Sequence, residues 1–285
     1  RAGMVLGLFC AQKERNEKCE VPQKCEHLFK YGHEKAIGKH PLSGGLAEHC
    51  HLAAGTAIFR LPESLSDRVA CPANCATATA AAAIRIAGDC RGKTVLIQGA
   101  GMLGLTAAAM ANQGGAKSVL VCDVDSQRLD RSLVFGATHA LLVSDDEQQL
   151  VEEVGDLTAG RGVDLAIEMS GAPAAVESGV KLLRIGGQYV LIGNVSPTPS
   201  VIIDPEMLVR RCLTISGNHN YRPEDLEQAV KFLSHHADDY PFAELVYGNF
   251  ALHEADAAFA RAIEGQDLRV AVTPGETRIS TKIED

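Results

Sequence analysis

From residue 94 onward, short apolar runs alternate with longer amphipathic segments. The apolar runs have the length of buried strands, and the amphipathic segments repeat with helical spacing. The predicted strands are 94–98, 118–122, 139–143, 163–168, 188–192 and 212–216, and the predicted helices are 102–112, 126–135, 147–157 and 174–183. Apolar strands joined by helices are typical of a parallel sheet covered on both faces. The pattern therefore predicts an α/β fold with a doubly wound parallel sheet, in which Gly136 and Gly186-Gly187 end helices before the next strand.

The first predicted strand leads into a G-x-G-x-x-G pattern at residues 99–104. In this pattern Gly99 permits a tight turn, Gly101 lets the backbone approach a pyrophosphate, and Gly104 lets the next helix pack closely on the sheet. The phosphates would then lie against the N–H groups at the helix start, near Met102 and Leu103. Glycine turns also occur where nothing binds, but here a strand precedes and a helix follows. The stretch therefore predicts a dinucleotide site of the Rossmann type.

An acidic residue, Asp123, ends the second predicted strand. At this position a carboxylate can accept hydrogen bonds from the ribose hydroxyls of NAD. Asp125 follows closely, and two acids would repel the 2′-phosphate of NADP. NAD is therefore the predicted cofactor.

The flanking segments have a different pattern. Residues 1–60 contain short β-type runs, whereas Ser64 or Ser66 can cap a helical turn that leads into an alanine-rich helix ending near Gly88. Beyond Gly217, helices are predicted at 222–234 and 253–263, then a strand at 268–273 and a polar tail expected to be disordered.

The nine cysteines are an odd number, and Cys122 and Cys212 fall within predicted strands. Buried thiols in a reducing compartment fit this usage better than disulfides do. Cys10, Cys19 and Cys25 lie among charged residues, which suggests either a metal lobe or unpaired thiols on a mobile loop. These three are the candidate ligands of a structural zinc.

Cys75 lies at the predicted start of the alanine-rich helix. The helix dipole would favour its thiolate there, and the alternative is a buried small apolar residue.

Composition excludes several classes of partner. The 285 residues carry a net charge of −9 and no basic stripe, so we expect no nucleic acid partner. The most alanine-rich window, 69–87, is interrupted by Asn74 and Arg85, so we expect no membrane span. A cytoplasmic protein is predicted. Because the chain begins with Arg1, we also expect that an upstream segment is missing from the sequence.

These motifs together resemble the medium-chain, zinc-dependent alcohol dehydrogenase family. The resemblance is carried by the Cys75-x-x-x-Thr79 element before the alanine-rich helix, the glycine turn, Asp123, and segments 163–171, 186–193 and 268–270. It implies a Rossmann domain together with an incomplete GroES-like irregular β-barrel domain. The implied domains are a partial GroES-like catalytic domain at 1–74, a dinucleotide-binding domain at 75–217, and a C-terminal segment at 218–285 that returns to the catalytic domain.

The resemblance also implies roles for individual residues. Cys75 would be a ligand of the catalytic zinc, and Thr79 would lie against the nicotinamide. Arg128 would lie near the adenosine ribose, Ser170 and Gly193 would line the nicotinamide half, and Arg269 would approach the pyrophosphate. The zinc would act as a Lewis acid on an alcohol oxygen during hydride transfer to NAD.

The sequence departs from the family pattern at both zinc sites. The family's other catalytic ligands, an early cysteine and the histidine of an early G-H-E, belong to a part of the barrel that is absent here. His33 lies in a G-H-E-like stretch, but this stretch follows the cysteine lobe and is not accepted as the ligand. For the structural zinc, counting back from Cys25 places Glu17, Glu14 and Ala11 at the other ligand positions, with Cys10 one residue out of register.

The leading functional prediction is an NAD-dependent, zinc-assisted oxidoreductase acting on a small alcohol or aldehyde. Segments 41–52 and 72–79 are similar to a bacterial branch proposed to serve phosphonate catabolism, so a phosphonate-bearing alcohol is a candidate substrate. Two alternatives remain: an NAD-binding protein without dehydrogenase activity, because the zinc site is incomplete, and a zinc-free reductase of the quinone or enoyl type, against which Cys75 argues. The family also implies a homo-oligomer, a dimer or tetramer.

Overall fold

A six-stranded parallel sheet forms the centre of one of the two units into which the chain divides. The computed structural model describes residues 4–6, 9–10, 21–25, 28–32 and 42–275. We call residues 75–221 with 238–241 the sheet unit, and residues 1–74, 222–237 and 242–285 the terminal unit.

The strands and helices have the following bounds. The strands are β1 Met4–Leu6, β2 Phe9–Cys10, β3 Leu28–Phe29, β4 Ile58–Arg60, β5 Thr94–Gln98, β6 Ser118–Asp123, β7 His139–Leu142, β8 Val163–Glu168, β9 Leu183–Leu191, β10 Thr214–Gly217, β11 Val246–Ala251 and β12 Arg269–Thr273. The helices are α1 Asp67–Ala70, α2 Ala78–Ala87, α3 Met102–Gln113, α4 Ser126–Val134, α5 Glu147–Leu157, α6 Pro173–Leu182, α7 Pro205–Arg210, α8 Pro223–His236 and α9 Ala255–Ile263.

The sheet runs in the order β10-β9-β8-β5-β6-β7, with every pair parallel. All five residues of β5 are buried, as expected for a strand covered on both faces. On one face Leu96 packs into a cluster with Leu150 of α5 and Val176 of α6. Because successive side chains alternate, Ile97 points to the other face, where it lies next to Gly104 of α3. The predicted α/β, doubly wound Rossmann sheet is confirmed.

The strand order reverses between β5 and β8. In open α/β sheets, ligands bind outside the carboxyl ends of the strands at such a reversal. The carboxyl ends of β5, β6, β8 and β9 are therefore the edge at which a site is expected.

Two details of the sheet differ from the prediction. Strand β9 begins at Leu183, directly after α6, and Gly186-Gly187 lie inside it and do not end a helix. A register irregularity between β8 and β9, with Gly186 at φ +71°, accommodates the glycines within the strand. Cys212, predicted within a strand, is exposed and has φ +51° in the turn after α7, so its predicted burial is wrong. Cys122 is buried, as predicted.

In the terminal unit, β1 pairs with β4 and β2 with β3, both antiparallel, while β11 and β12 are parallel. Ser66 caps α1 by accepting a hydrogen bond from the N–H of Val69, as predicted. Part of the predicted GroES-like segment, like the tail after residue 275, lies outside the described residues.

One stretch, Asp67–Ala87, is long and apolar enough to cross a membrane by length and composition, with a mean hydropathy of 1.2. However, 61% of it is buried inside the protein, and α2 packs against α3 and β9. Such burial is equally typical of a core helix, so the absence of a membrane span stays a prediction.

Candidate dinucleotide site

The glycine turn leaves β5 at Gly99, whose N–H donates to the carbonyl of Cys122 at 2.8 Å. Gly99 has φ +103°, a conformation that L side chains rarely adopt. A Cβ at this position would also lie 3.0 Å from the backbone nitrogen of Ser170. The turn therefore requires glycine both for its conformation and for its closeness to the chain after β8.

The other two glycines of the turn, Gly104 and Gly101, differ in how closely other atoms surround them. A Cβ on Gly104 would overlap the carbonyl group of Gly99, so this glycine is needed for α3 to pack on the turn. A Cβ on Gly101 would meet no atom within 4 Å. Gly101 is the N-cap of α3 and provides no side-chain cap for the first helical turn, which includes Met102 and Leu103. The backbone at Gly101 is thus open for a ligand to approach the helix N–H groups.

Asp123 ends β6 beside the glycine turn and is 9% exposed. Its Oδ2 accepts a hydrogen bond from the Ala100 N–H at 2.6 Å, and its Oδ1 accepts one from the Asp125 N–H at 3.0 Å. The carboxylate is therefore held in a fixed orientation at the carboxyl end of the sheet. Each oxygen has a further lone pair, so the carboxylate can still accept the predicted hydrogen bonds from ribose hydroxyls.

Arg128 lies in the first turn of α4, which Asp125 caps by accepting from the N–H groups of Gln127 and Arg128. The Arg128 Nε is 3.5 Å from the Asp125 carboxylate, and both side chains are 43% exposed. This pair is a weak surface interaction, so the guanidinium has freedom to turn towards a ligand. Its predicted place near the adenosine ribose stays a prediction.

A fully buried carboxylate, Glu168, lies at the end of β8, and the sequence reasoning assigned it no role. Its Oε1 accepts from the Ser170 N–H at 2.6 Å, the Ser170 hydroxyl at 2.7 Å and the Gly171 N–H at 2.7 Å. Its Oε2 accepts from the Gly193 N–H at 3.1 Å. We call this set of hydrogen bonds the Glu168 bridge, because it joins the chain after β8 to the chain after β9. An acid that ends an apolar strand just before Ser-Gly was the available signal.

A second contact joins the same two segments. The side-chain amide of Asn194 donates to the carbonyl of Gly171 at 3.0 Å. Gly171 has φ +75°, and a Cβ there would lie 2.8 Å from the carbonyl oxygen of Gly193. The segments after β8 and β9, which contain the predicted site residues Ser170 and Gly193, are therefore packed backbone against backbone.

Cys75 lies in a π-helical turn, Ala73–Thr77, that precedes α2. The prediction had placed it at the start of a regular helix. Such turns are rare in proteins, and those that occur are often found at functional sites. Cys75 is exposed, and Thr79 is partly buried in the first turn of α2. Burial raises the pKa of the Tyr221 hydroxyl, and electrostatic repulsion from Cys75 contributes to the rise.

The predicted zinc ligands lie only partly within the described residues. Over those residues, the side chains of His, Cys, Asp and Glu form no group of three or more that could hold a metal. Cys25 is buried at the end of a short 3-10 helix, Cys10 belongs to β2, and Cys19 lies outside the described residues. The structural zinc set is therefore untested.

Arg269 is the first residue of β12 in the terminal unit. Partial burial raises the pKa of the Cys71 thiol, and the positive charges of Arg269 and Arg68 offset part of that rise. The predicted approach of Arg269 to a pyrophosphate stays a prediction.

These features define the class of the sheet unit, a Rossmann-type domain with an open glycine turn at its topological reversal. The family model described as zinc-binding dehydrogenase matches residues 103–235. The chain is 30% identical over 223 residues to 5-exo-hydroxycamphor dehydrogenase of Pseudomonas putida, with 76% of this chain and 61% of the relative aligned. It is 31% identical over 230 residues to L-threonine 3-dehydrogenase of Burkholderia ambifaria, with 80% of this chain and 64% of the relative aligned.

Solved structures of alcohol dehydrogenases are also similar to the chain. A crystal structure of an alcohol dehydrogenase from Thermotoga maritima has a TM-score of 0.87 and 27% identity, covering 96% of this chain and 76% of that chain. An alcohol dehydrogenase from Thermus sp. ATN1, 22% identical with a TM-score of 0.77, covers 95% of this chain and 76% of that chain and shares the fold.

Residues 103–235 thus match the zinc-binding dehydrogenase family, and over most of its length the chain is similar to medium-chain alcohol dehydrogenases. The predicted cofactors, NAD and zinc, agree with this similarity. The chain spans a little under two thirds of the two relatives, 61% and 64% of their length.

Proposed function

We propose that the chain is an NAD-dependent, zinc-assisted oxidoreductase that transfers a hydride between a small alcohol or aldehyde and the nicotinamide. The observation that carries this proposal is the glycine turn at the reversal of the strand order. There the space beside Gly104 is occupied by the Gly99 carbonyl, while the space beside Gly101 is open. An open backbone at a helix N-terminus beside this reversal is what the approach of a pyrophosphate requires.

The residues of the sheet unit fit a dinucleotide. Asp123 and Arg128 would hold the adenosine ribose, and the N–H groups of Met102 and Leu103 would meet the pyrophosphate. Ser170 and Gly193, at the ends of β8 and β9, would line the nicotinamide half. The resemblance to the family adds Thr79 against the nicotinamide and Arg269 at the pyrophosphate.

The zinc part of the proposal rests on similarity to the zinc-binding dehydrogenases and on Cys75. The described residues supply this one candidate ligand and do not form a zinc site by themselves. When bound, the metal supplies a Lewis acid for the alcohol oxygen. The task of this chain's own residues is to hold the nicotinamide ring in a fixed position and to leave the Cys75 sulfur accessible.

The finer proposals concern substrate and assembly. A phosphonate-bearing alcohol is the proposed substrate at the level of the branch, a dimer or tetramer is the proposed assembly, and the cytoplasm is the proposed location. A preference for phosphonate-bearing over simple alcohols of equal chain length would support the substrate, and equal turnover of both would contradict it.

The proposed function is tested on the full chain. Because the protein has no tryptophan, NADH binding can be followed through the fluorescence of NADH itself, alongside zinc content and turnover with a panel of small alcohols. Cys75→Ala should lose zinc and turnover, whereas Cys212→Ala, another exposed cysteine, should keep both. NADH binding without metal or turnover would favour a binding protein that is not a dehydrogenase. Unchanged turnover in Cys75→Ala would favour a zinc-free reductase.

A further inference from the structure

We infer that Glu168 is a positioning residue for the nicotinamide half of the dinucleotide, acting through the Glu168 bridge. This inference rests on the proposed function, because it assigns a task within the proposed dinucleotide site. The carboxylate is fully buried, so it cannot itself touch a ligand. Its effect must pass through the backbone that it holds.

Glu168 makes more hydrogen bonds than a strand end requires. Its carboxylate accepts from three donors in the turn after β8 and from the Gly193 N–H after β9. The same Gly193 N–H also donates to the backbone carbonyl of Glu168 at 3.2 Å. Burying a carboxylate is costly unless it is fully hydrogen-bonded. The bridge meets this requirement and fixes two loops relative to each other.

The position of the bridge indicates which half of the ligand it serves. A doubly wound sheet consists of two mononucleotide-binding halves that meet at the reversal of strand order. The glycine turn after β5 and Asp123 after β6 belong to one half, the side of the adenosine. The Glu168 bridge ties β8 to β9 in the other half, which leaves the nicotinamide nucleotide as the part that it positions.

Substitution by glutamine tests the bridge with little change of shape. Oε1 accepts from three donors and Oε2 accepts from the Gly193 N–H, so both oxygens face donors. Whichever way the amide of a glutamine is oriented, its NH₂ group would face an N–H or O–H donor. Glu168→Gln should therefore loosen one side of the bridge and leave the glycine turn and Asp123 intact.

The experiment compares two ligands on the full chain by calorimetry: NADH, which engages both halves, and ADP, which carries only the adenosine half. For Glu168→Gln we expect the Kd of NADH to rise about tenfold or more and that of ADP to stay within about twofold. Asn194→Ala removes the second link between the same loops and should raise the Kd of NADH about threefold, again sparing ADP. It provides the test if Glu168→Gln fails to fold.

Asp164→Asn is the matched control, since Asp164 is a carboxylate of the same strand located near its opposite end. It should leave both affinities within about twofold of the wild type. Two results would overturn the inference about Glu168 but not the proposed function. One is an equal rise of the Kd values of NADH and ADP in Glu168→Gln. The other is an unchanged Kd of NADH in a folded Glu168→Gln or Asn194→Ala. A wild-type chain that bound neither ligand would overturn the proposed function and this inference with it.

Discussion

At residue 101 a methyl group would meet no atom within 4 Å, whereas at residue 104 it would overlap the Gly99 carbonyl. Gly101→Ala should therefore leave the free energy of unfolding within about 0.5 kcal/mol of the wild type but weaken NADH binding about tenfold or more. Gly104→Ala should destabilise the fold by about 2 kcal/mol or more, because the overlap is with backbone that cannot easily move. Urea unfolding and NADH titration measure the two effects. Wild-type NADH affinity in Gly101→Ala would contradict the proposed phosphate site.

Asp123 provides a second test at the residue scale. Its fixed carboxylate should disfavour the 2′-phosphate of NADPH, so the wild type should bind NADH at least about tenfold more tightly than NADPH. Asp123→Ser should narrow this preference, while Asp130→Ser, at an exposed acid of α4, should not. The measurement is the ratio of the two dissociation constants. Equal affinity of the wild type for both cofactors would show that Asp123 does not read the ribose.

Sequence reasoning found the residues whose chemistry follows from a local pattern, and it missed those that act over long range. Asp123 could be predicted because a strand end and a glycine turn lie at a known spacing. The link that Glu168 makes to Gly193 could not be predicted, because Gly193 is 25 residues away and the pairing depends on the order of strands. The π turn at Cys75 was equally hidden, since its residues are compatible with a regular helix.

At the scale of elements, Asp164 of β8 is hydrogen-bonded to both neighbouring strands, β5 and β9. Its carboxylate accepts from the Arg184 Nε of β9 at 2.5 Å and from the Thr94 N–H of β5 at 2.8 Å. Although burial acts to raise the pKa of Asp164, these hydrogen bonds and the charges of Arg184 and Arg161 lower it overall. A lowered pKa in the folded state stabilises the fold above the unfolded pKa of about 4, and this contribution is lost as the pH falls through the folded value.

Asp164→Asn should therefore lower the free energy of unfolding by about 1 kcal/mol at pH 7, a modest amount because the Arg184 side chain is 36% exposed. The difference from the wild type should shrink as the pH falls below about 4. Urea unfolding at a series of pH values measures it. Asp130→Asn, at an exposed carboxylate, should show a much smaller effect, and a difference for Asp164→Asn that grew towards low pH would refute the assignment.

The predicted elements of the sheet agree with the structure where period and length coincide, as in β5, α5 and β8. The prediction failed where a strong local signal was overruled by strand pairing. Gly186-Gly187 are typical of a helix end, yet pairing with β8 carries the strand through them. Strand β11 was missed because Gly248 interrupts its apolar pattern at a register irregularity, and α7 was missed because six residues show little periodicity.

At the scale of the whole molecule, the two units carry different kinds of evidence. The residues of the candidate dinucleotide site in the sheet unit lie within the described part of the chain, whereas that part forms no group of three or more metal-binding side chains. Sequence reasoning could separate these two because the glycine turn is local, and a zinc site is formed by residues that only the fold brings together. The assignment of domain roles to 1–74, 75–217 and 218–285 stays a prediction.

Hydrogen exchange over the whole chain tests the proposed division of tasks. A ligand that binds the folded state at 100 times its Kd stabilises it by about 2.7 kcal/mol, and local protection is strongest where backbone N–H groups meet the ligand or the segments that hold it. NADH should therefore slow exchange in peptides covering 98–104 and 122–125, and also in 168–171 and 191–194. ADP should protect the first pair and leave the second pair at the rate of the free protein. If ADP and NADH protected both pairs equally, the glycine turn would remain a nucleotide site, but the segments after β8 and β9 would not be the nicotinamide half.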